Sequence, residues 1–199
     1  MLAPREDMRE FPQHQPTDRA AWRAWLTKHH ATSSGVWFVS FKVSSGKPRV
    51  TYDESVEEAL CFGWVDSLPR KLDDERSMLL FTSRKKGSPW SALNKRRIAK
   101  LTKAKLITPA GAAAIDRAKA DGSWTIYDDA ERLLVPDDLA AALKQNATAH
   151  AHFAAFPPSA KKGILWWLKS AKRDTTRAAR IATIVDKAAQ NKRANFPGQ

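Results

Sequence analysis

Thr51-Tyr-Asp-Glu-Ser-Val-Glu-Glu-Ala-Leu-Cys-Phe-Gly-Trp-Val-Asp66 is the stretch whose reading decides the fold class. Its first four residues have the capping-box spacing, in which the Thr51 hydroxyl and the Glu54 carboxylate each satisfy a free backbone N–H at a helix start. Beyond the cap, Val56, Ala59, Leu60 and Gly63 fall on one helical face. At Trp64 the pattern changes to extended chain: 64–68 and then 77–83 read as strands, the first interrupted by Pro69, which suits an edge strand or a strand end. A helix feeding directly into strands predicts an α+β class with a small antiparallel sheet and flanking helices.

Upstream, Thr17-Asp18 followed by Ala20, Trp22, Trp25 and Leu26 predicts a capped amphipathic helix ending near His30. A Ser-Ser-Gly turn leads to 36–43, where Trp37, Val39, Phe41 and Val43 alternate with Ser40 and Lys42 as a strand burying one face would. Downstream the pattern is almost wholly helical. Ser88-Pro89 and Thr108-Pro109 each pair an N-cap residue with proline at the first helical position. Helices are expected at 109–120, 136–146, 147–155, 159–171 and 174–190, the last with Ile181, Ile184, Val185 and Ala188 as its apolar stripe. The expected organisation is a flexible start at 1–16, an α+β core at 17–127 and a mainly helical part at 128–199, with the acidic stretch 121–131 as a hinge.

The chain has 199 residues, 43% of them hydrophobic, with eight Trp and eight Phe, a composition that argues for a folded globule. Cys61 is the sole cysteine, which excludes an intrachain disulfide and a cysteine zinc cage and points to a reducing, cytoplasmic setting. Charges at Arg5, Glu6, Asp7, Arg9 and Glu10 speak against a secretory leader, and no apolar run is long enough for a transmembrane segment. The net charge of +13 is concentrated: 84–105 hold nine Lys/Arg and no acidic residue, and 156–199 hold ten against two. Such basic helices raise nucleic acid as a partner, through Lys85, Lys86, Lys95, Arg96 and Lys100 in the first segment and Lys172, Arg173, Arg177 and Arg180 in the second. The same charges serve equally well as solvated surface.

Three stretches carry a family resemblance. The stretch 52–66, with Glu58-Ala-Leu-Cys-Phe-Gly-Trp-Val-Asp66 inside it, the stretch Phe81–Arg97 with Arg84, Ser88, Trp90 and Asn94, and Trp167–Ile181 with Thr176-Arg177 and Arg180 resemble, in that order, signatures of the YdeI/OmpD-associated, or bacteriocin-protection, family. The resemblance implies a soluble α+β protein linked to bacteriocin protection and stress resistance, and implies no catalytic mechanism. Lys105-Leu-Ile stands where those relatives have a Gly-containing turn.

On a helical wheel begun at Trp90, Leu93, Ile98 and Leu101 form an apolar arc that also takes in Asn94 and Arg97. A core-facing Arg and Asn must find partners. In one reading Arg97 pairs with a carboxylate such as Asp66 or Glu58 while Asn94 caps a backbone turn. In the other, Trp64, Asp66, Arg84, Trp90, Asn94 and Arg97 line a seat for a small anionic ligand. Cys61, between acidic neighbours, reads as core and not as a nucleophile. His29-His30 sit at a helix end, and His150/His152 lack the spacing of shared metal ligands, so neither metal nor cofactor is expected. Ser45-Gly46-Lys47 and Lys86-Gly87-Ser88 lack a P-loop's flanking pattern and read as turns. With no nucleophile–base pair to assemble, a non-catalytic binding protein with a small-ligand or protein partner is the leading expectation. A sequence-nonspecific nucleic-acid binder comes second and an enzyme on a small molecule third.

Overall fold

The computed structural model describes residues 11–196, and the chain forms two compact units that divide between Trp124 and Thr125. The first contains β1 (Gln13–His14), α1 (Arg19–His29), β2 (Gly35–Phe41), α2 (Tyr52–Cys61), β3 (Trp64–Lys71), β4 (Arg76–Ser83), α3 (Ala92–Lys103) and α4 (Pro109–Ala120). The second is wholly helical: α5 (Asp128–Glu131), α6 (Asp137–Lys144), α7 (Ala147–Ala155), α8 (Pro158–Lys169) and α9 (Asp174–Ala189). The class is α+β with a helical C-terminal part. The division falls inside the acidic stretch 121–131.

The sheet has the order β1-β2-β4-β3, with β2, β4 and β3 antiparallel. It is mixed, because Gln13 and His14 pair in parallel with Trp37 and Phe38. Of the start expected to be flexible, 1–10 lie outside the described residues, and Gln13–His14 pair in the ladder. β3 is an edge strand, which accommodates Pro69, and its register slips between Asp66 and Pro69.

Strand β2 corrects the expectation of a single buried face. Val36 and Phe38 face the core with α1 and β4, Phe38 lying edge-on to Trp22 at 5.0 Å, yet Trp37 and Val39 on the opposite face are also buried. Trp37 is covered in part by the Arg70 guanidinium, 4.9 Å from its ring. Ser40 shares the core-side face with Phe38, and Val43 is 75% exposed in a 3-10 turn beyond the strand.

The capping box at Thr51 and Glu54 is formed, and α2 lies at the centre of the unit. Seven consecutive residues, Ser55 to Cys61, are buried, including Glu57 and Glu58. Arg19 and Arg23 of α1 hold Glu58 at 2.7 and 2.6 Å, and Lys100 of α3 holds Glu57 at 2.6 Å. The carbonyl of Cys61 accepts both the backbone N–H and the hydroxyl of Thr108, at 3.0 and 2.7 Å, so α4 begins against the end of α2.

Two starts differ from the sequence reading. Asp18, not Thr17, caps α1, and α3 begins at Ala92 with Ser91 as its cap, so Ser88-Pro89 is not a helix start. Trp90 therefore reaches the core from extended chain, and the buried arc of α3 is Arg97, Ile98 and Leu101 while Leu93 is 46% exposed. Lys105 adopts φ 58°, the left-handed conformation that favours glycine.

Packing in the helical unit follows the expected stripes. Ile184 and Ala188 of α9 are buried with Phe153 of α7 and Ile164 and Leu168 of α8. His152 is tied by Nδ1 to the carbonyl of Ala188 at 2.9 Å.

Gly111 lets the start of α4 approach the end of α2 closely: a Cβ there would lie 2.2 Å from the Cys61 carbonyl oxygen. Gly111→Ala is expected to lose about 1–3 kcal/mol in urea unfolding, as overpacked sites do; an unchanged midpoint would refute the close docking of α4. His14 is stacked with Trp22 and Trp25, its Nε2 has no partner, and burial followed by the nearby His29 lowers its pKa below 6.5. The unfolded chain therefore binds more protons than the folded one in weak acid, and stability falls as pH drops below about 6.5. His14→Phe is expected to flatten that part of a melting-temperature profile.

Candidate functional site

A cavity of about 520 Å³ opens on the core-side face of the sheet, within the 300–1,000 Å³ of small-ligand sites. It exists because α2 begins at Tyr52, and the sheet runs on past that end uncovered. Cross-strand register sets its floor: Phe38 opposes Leu79 and Ser40 opposes Ser77, with Pro69 beside Leu79. The chain joining β2 to α2 supplies the remaining wall with Phe41, Arg49 and Val50.

The polar groups of this cavity differ in how far they are committed. Ser40 donates to the Val50 carbonyl at 3.0 Å and Ser55 to the Tyr52 carbonyl at 2.7 Å. Tyr52 donates its hydroxyl to Asp66 at 2.9 Å. Among the described residues the Arg49 guanidinium and the Ser77 hydroxyl have no hydrogen-bond partner. Burial pushes the Tyr52 phenol up from its ordinary value, the Asp66 charge adds to this, and Arg97 works against it.

The six residues expected to form one seat separate into three places. Trp64 is 1% exposed in the core and donates to the His30 carbonyl at 3.3 Å. Asp66, Asn94 and Arg97 form a network behind the cavity: Arg97 donates to Asn94 at 2.9 Å, forms an ion pair with Asp53, and lies 5.6 Å from the ring of Tyr52, which in turn holds Asp66. The partner of Arg97 is thus Asp53, where Asp66 or Glu58 was expected, and Asn94 serves Arg97 and caps no turn. Glu58 is engaged by α1. Arg84 and Trp90 lie apart, the guanidinium 3.8 Å above the indole. Only Asp66 of the six lines the cavity.

Sequence reading missed Arg49, Tyr52 and Ser77. The available signal was a set of serines, Ser40 and Ser77, at core-facing positions of strands whose other core residues are large and apolar. Their facing register is a tertiary fact.

The basic residues differ in how far they are committed to partners within their own unit. Lys100 pairs with Glu57, and Lys95 lies 5.5 Å from the Trp124 ring, while Lys85, Lys86 and Arg96 are exposed. In the helical unit Arg177 clasps Asp138 through two bonds of 2.6 and 2.8 Å, and Arg180 bonds the Trp167 carbonyl and the Ser170 hydroxyl. Lys172 and Arg173 are exposed. Cys61 is wholly buried, and burial pushes its thiol up, away from the thiolate. No described helix is long and apolar enough to cross a membrane.

A family model described as a domain of unknown function, DUF8412, matches residues 14–114, just over half of the chain, so the α+β unit makes the protein a member of that family. A second model, described as Bacteriocin-protection, YdeI or OmpD-Associated, matches 132–191. The helical unit is thus similar to that family's domain over 60 residues, less than a third of the chain. The stretches at 52–66 and 81–97 fall in the first match and 167–181 in the second. Neither a curated protein nor a solved structure matches the chain.

Asp66→Asn removes the negative charge that faces the Tyr52 hydroxyl, so the Tyr52 phenol is expected to titrate at lower pH than in the unaltered protein. Phenolate absorbance in a Tyr127→Phe background isolates it, since Tyr127 is the other tyrosine. An unmoved or raised titration would remove Asp66 as its partner.

Proposed function

We propose that this is a non-catalytic binding protein of the bacteriocin-protection type whose ligand is a small apolar carboxylate held in the sheet-face cavity. The observation that carries the reading is an unpartnered guanidinium, Arg49, at the side of an open cavity floored by Phe38, Leu79 and Pro69. The apolar body of such a ligand covers the floor, where each buried methylene contributes about 0.8 kcal/mol. Its carboxylate takes Arg49 as a two-pronged partner, with the Ser77 hydroxyl free to donate. Tyr52 and Asp66, braced by Arg97 and Asn94, form a wall whose polar atoms are already satisfied by one another. The five residues of the sequence-derived seat that do not line the cavity give way to Arg49 and Ser77, and the ligand remains a small anion. A single buried thiol fits a reducing compartment such as the cytoplasm.

Calorimetric titration with aromatic and medium-chain aliphatic carboxylates, each set against its neutral amide, tests this. Carboxylates are expected to bind and Arg49→Met to weaken them about tenfold or more, the equivalent of some 1.4 kcal/mol. Ser77→Trp should fill the cavity and abolish binding while leaving the circular dichroism spectrum unchanged. Amides that bind as well as the acids would defeat the role of Arg49.

A further inference from the structure

A second observation, independent of the cavity, concerns the turn after β4. Arg84 is 6% exposed, yet among the described residues no carboxylate lies within ion-pair distance of it. Its Nη1 donates to the Pro89 carbonyl at 2.9 Å and its plane covers the Trp90 indole, but its Nε has no partner. The indole N–H of Trp90, 0% exposed, is likewise unpartnered. Buried donors are almost always satisfied and buried charges almost always paired, so two orphaned donors on residues lining one depression, one of them cationic, mark a place where an acceptor with negative charge belongs. Burial lowers the Arg84 pKa to about 10, with Asp66 opposing, so the group is still a cation at neutral pH.

The surroundings repeat that demand. Arg84 and Trp90 line a shallow depression together with Lys85, Lys86, Gly87 and Arg117. Arg117 reaches across from α4 to donate to the Arg84 carbonyl at 3.4 Å. Four cations thus face a single acid, Asp121, whose carboxylate accepts the Gly87 N–H at 3.1 Å and the Ser123 N–H at 2.9 Å. Asp121 shows what the turn binds: an oxyanion on the backbone N–H of a left-handed glycine, φ 75°, with lysines beside it. The depression as it stands is too tight for a water molecule, so an anion enters between Arg84 and Gly87 only when the Asp121 carboxylate moves out. Nothing lies within 4 Å of where a Gly87 Cβ would be, which leaves that side of the turn open.

We propose that the turn Arg84–Ser88, with Arg117, is a seat for a small phosphoryl-type oxyanion, which displaces Asp121 and is held by Arg84, Trp90 and the Gly87 N–H. This site is separate from the cavity and does not depend on what the cavity holds. The shared chemistry, a tetrahedral oxyanion, comes either from inorganic phosphate or from a small phosphomonoester.

Titration of the full chain with inorganic phosphate and with glycerol phosphate, followed by phosphorus NMR line width and calorimetry at ionic strength matched with sodium chloride, tests it. Saturable binding is expected for at least one of the two, and which one tells free anion from ester. Paired Lys85→Ala and Lys86→Ala, and separately Arg117→Gln, are expected to weaken binding several-fold. Asp121→Asn is expected to tighten it several-fold, because the competing carboxylate loses its charge; a purely structural Arg84 would produce no such gain. Arg84→Gln should abolish binding, and if that variant does not fold the Asp121 and Arg117 variants still decide. Arg49→Met should leave phosphate binding unchanged while removing carboxylate binding, which keeps the two sites' tests apart. The absence of saturable binding, an equal response to chloride, or weaker binding by Asp121→Asn would each overturn the proposal. So would binding of a single-stranded oligonucleotide without binding of either small phosphate.

Discussion

Two carboxylates inside the first unit, Glu57 and Glu58, constrain everything around them. A buried acid without a partner costs several kcal/mol, so α2 can lie in the middle of the unit only if cations are brought to it. Arg19 and Arg23 come from α1 and Lys100 from α3, each no more than half of a shared clamp. The clamp fixes both neighbouring helices against α2, and Arg23 also reaches the Leu106 carbonyl beyond α3 at 3.0 Å. Because α2 is pinned in this way, its N-terminus stops short over the sheet, and the cavity is the part of the sheet face that it leaves uncovered.

The unit also holds two buried guanidiniums, and they are treated in opposite ways. Arg97 is completely provided for, with Asp53, Asn94 and the face of Tyr52 as its surroundings, and its role is to hold the wall of the cavity. Arg84 receives one carbonyl and one aromatic face, which leaves its charge without a counter-ion. A cation over an indole gains about 2 kcal/mol when desolvated, less than a buried charge loses by leaving water. Identical side chains, 13 positions apart, thus differ in meaning through their partners alone.

The helical unit follows a plainer logic. Its apolar stripes pack on one another, and its basic residues are largely spent on internal bonds, Arg177 on Asp138, Lys169 on Asp129 and Arg180 on the end of α8. A high net charge therefore overstates how much free cationic surface the chain offers to a partner. The similarity carried by this unit is to the bacteriocin-protection family, and both proposed ligand seats lie in the other unit.

Local chemistry was legible in the residues themselves. The capping box at Thr51, the Thr108-Pro109 start, the stripe of α9 and the helical C-terminal part all arise from interactions among residues a few positions apart, which sequence displays directly. So did the need of Arg97 for a partner. The sequence could not show which partner, because Asp53, Asp66 and Glu58 are equivalent until the strands and helices are placed, nor that Ser40 and Ser77 would face each other, nor that Phe38 rather than Trp37 would meet α1. Those outcomes depend on register and on where α2 ends over the sheet, and both are set by contacts between segments far apart in the chain. By itself the sequence determined the α+β class, most of the helices and the caps at Thr51 and Thr108; tertiary structure alone decided which buried charges were paired and which sheet face stayed open, because pairing and exposure belong to whole arrangements and not to segments.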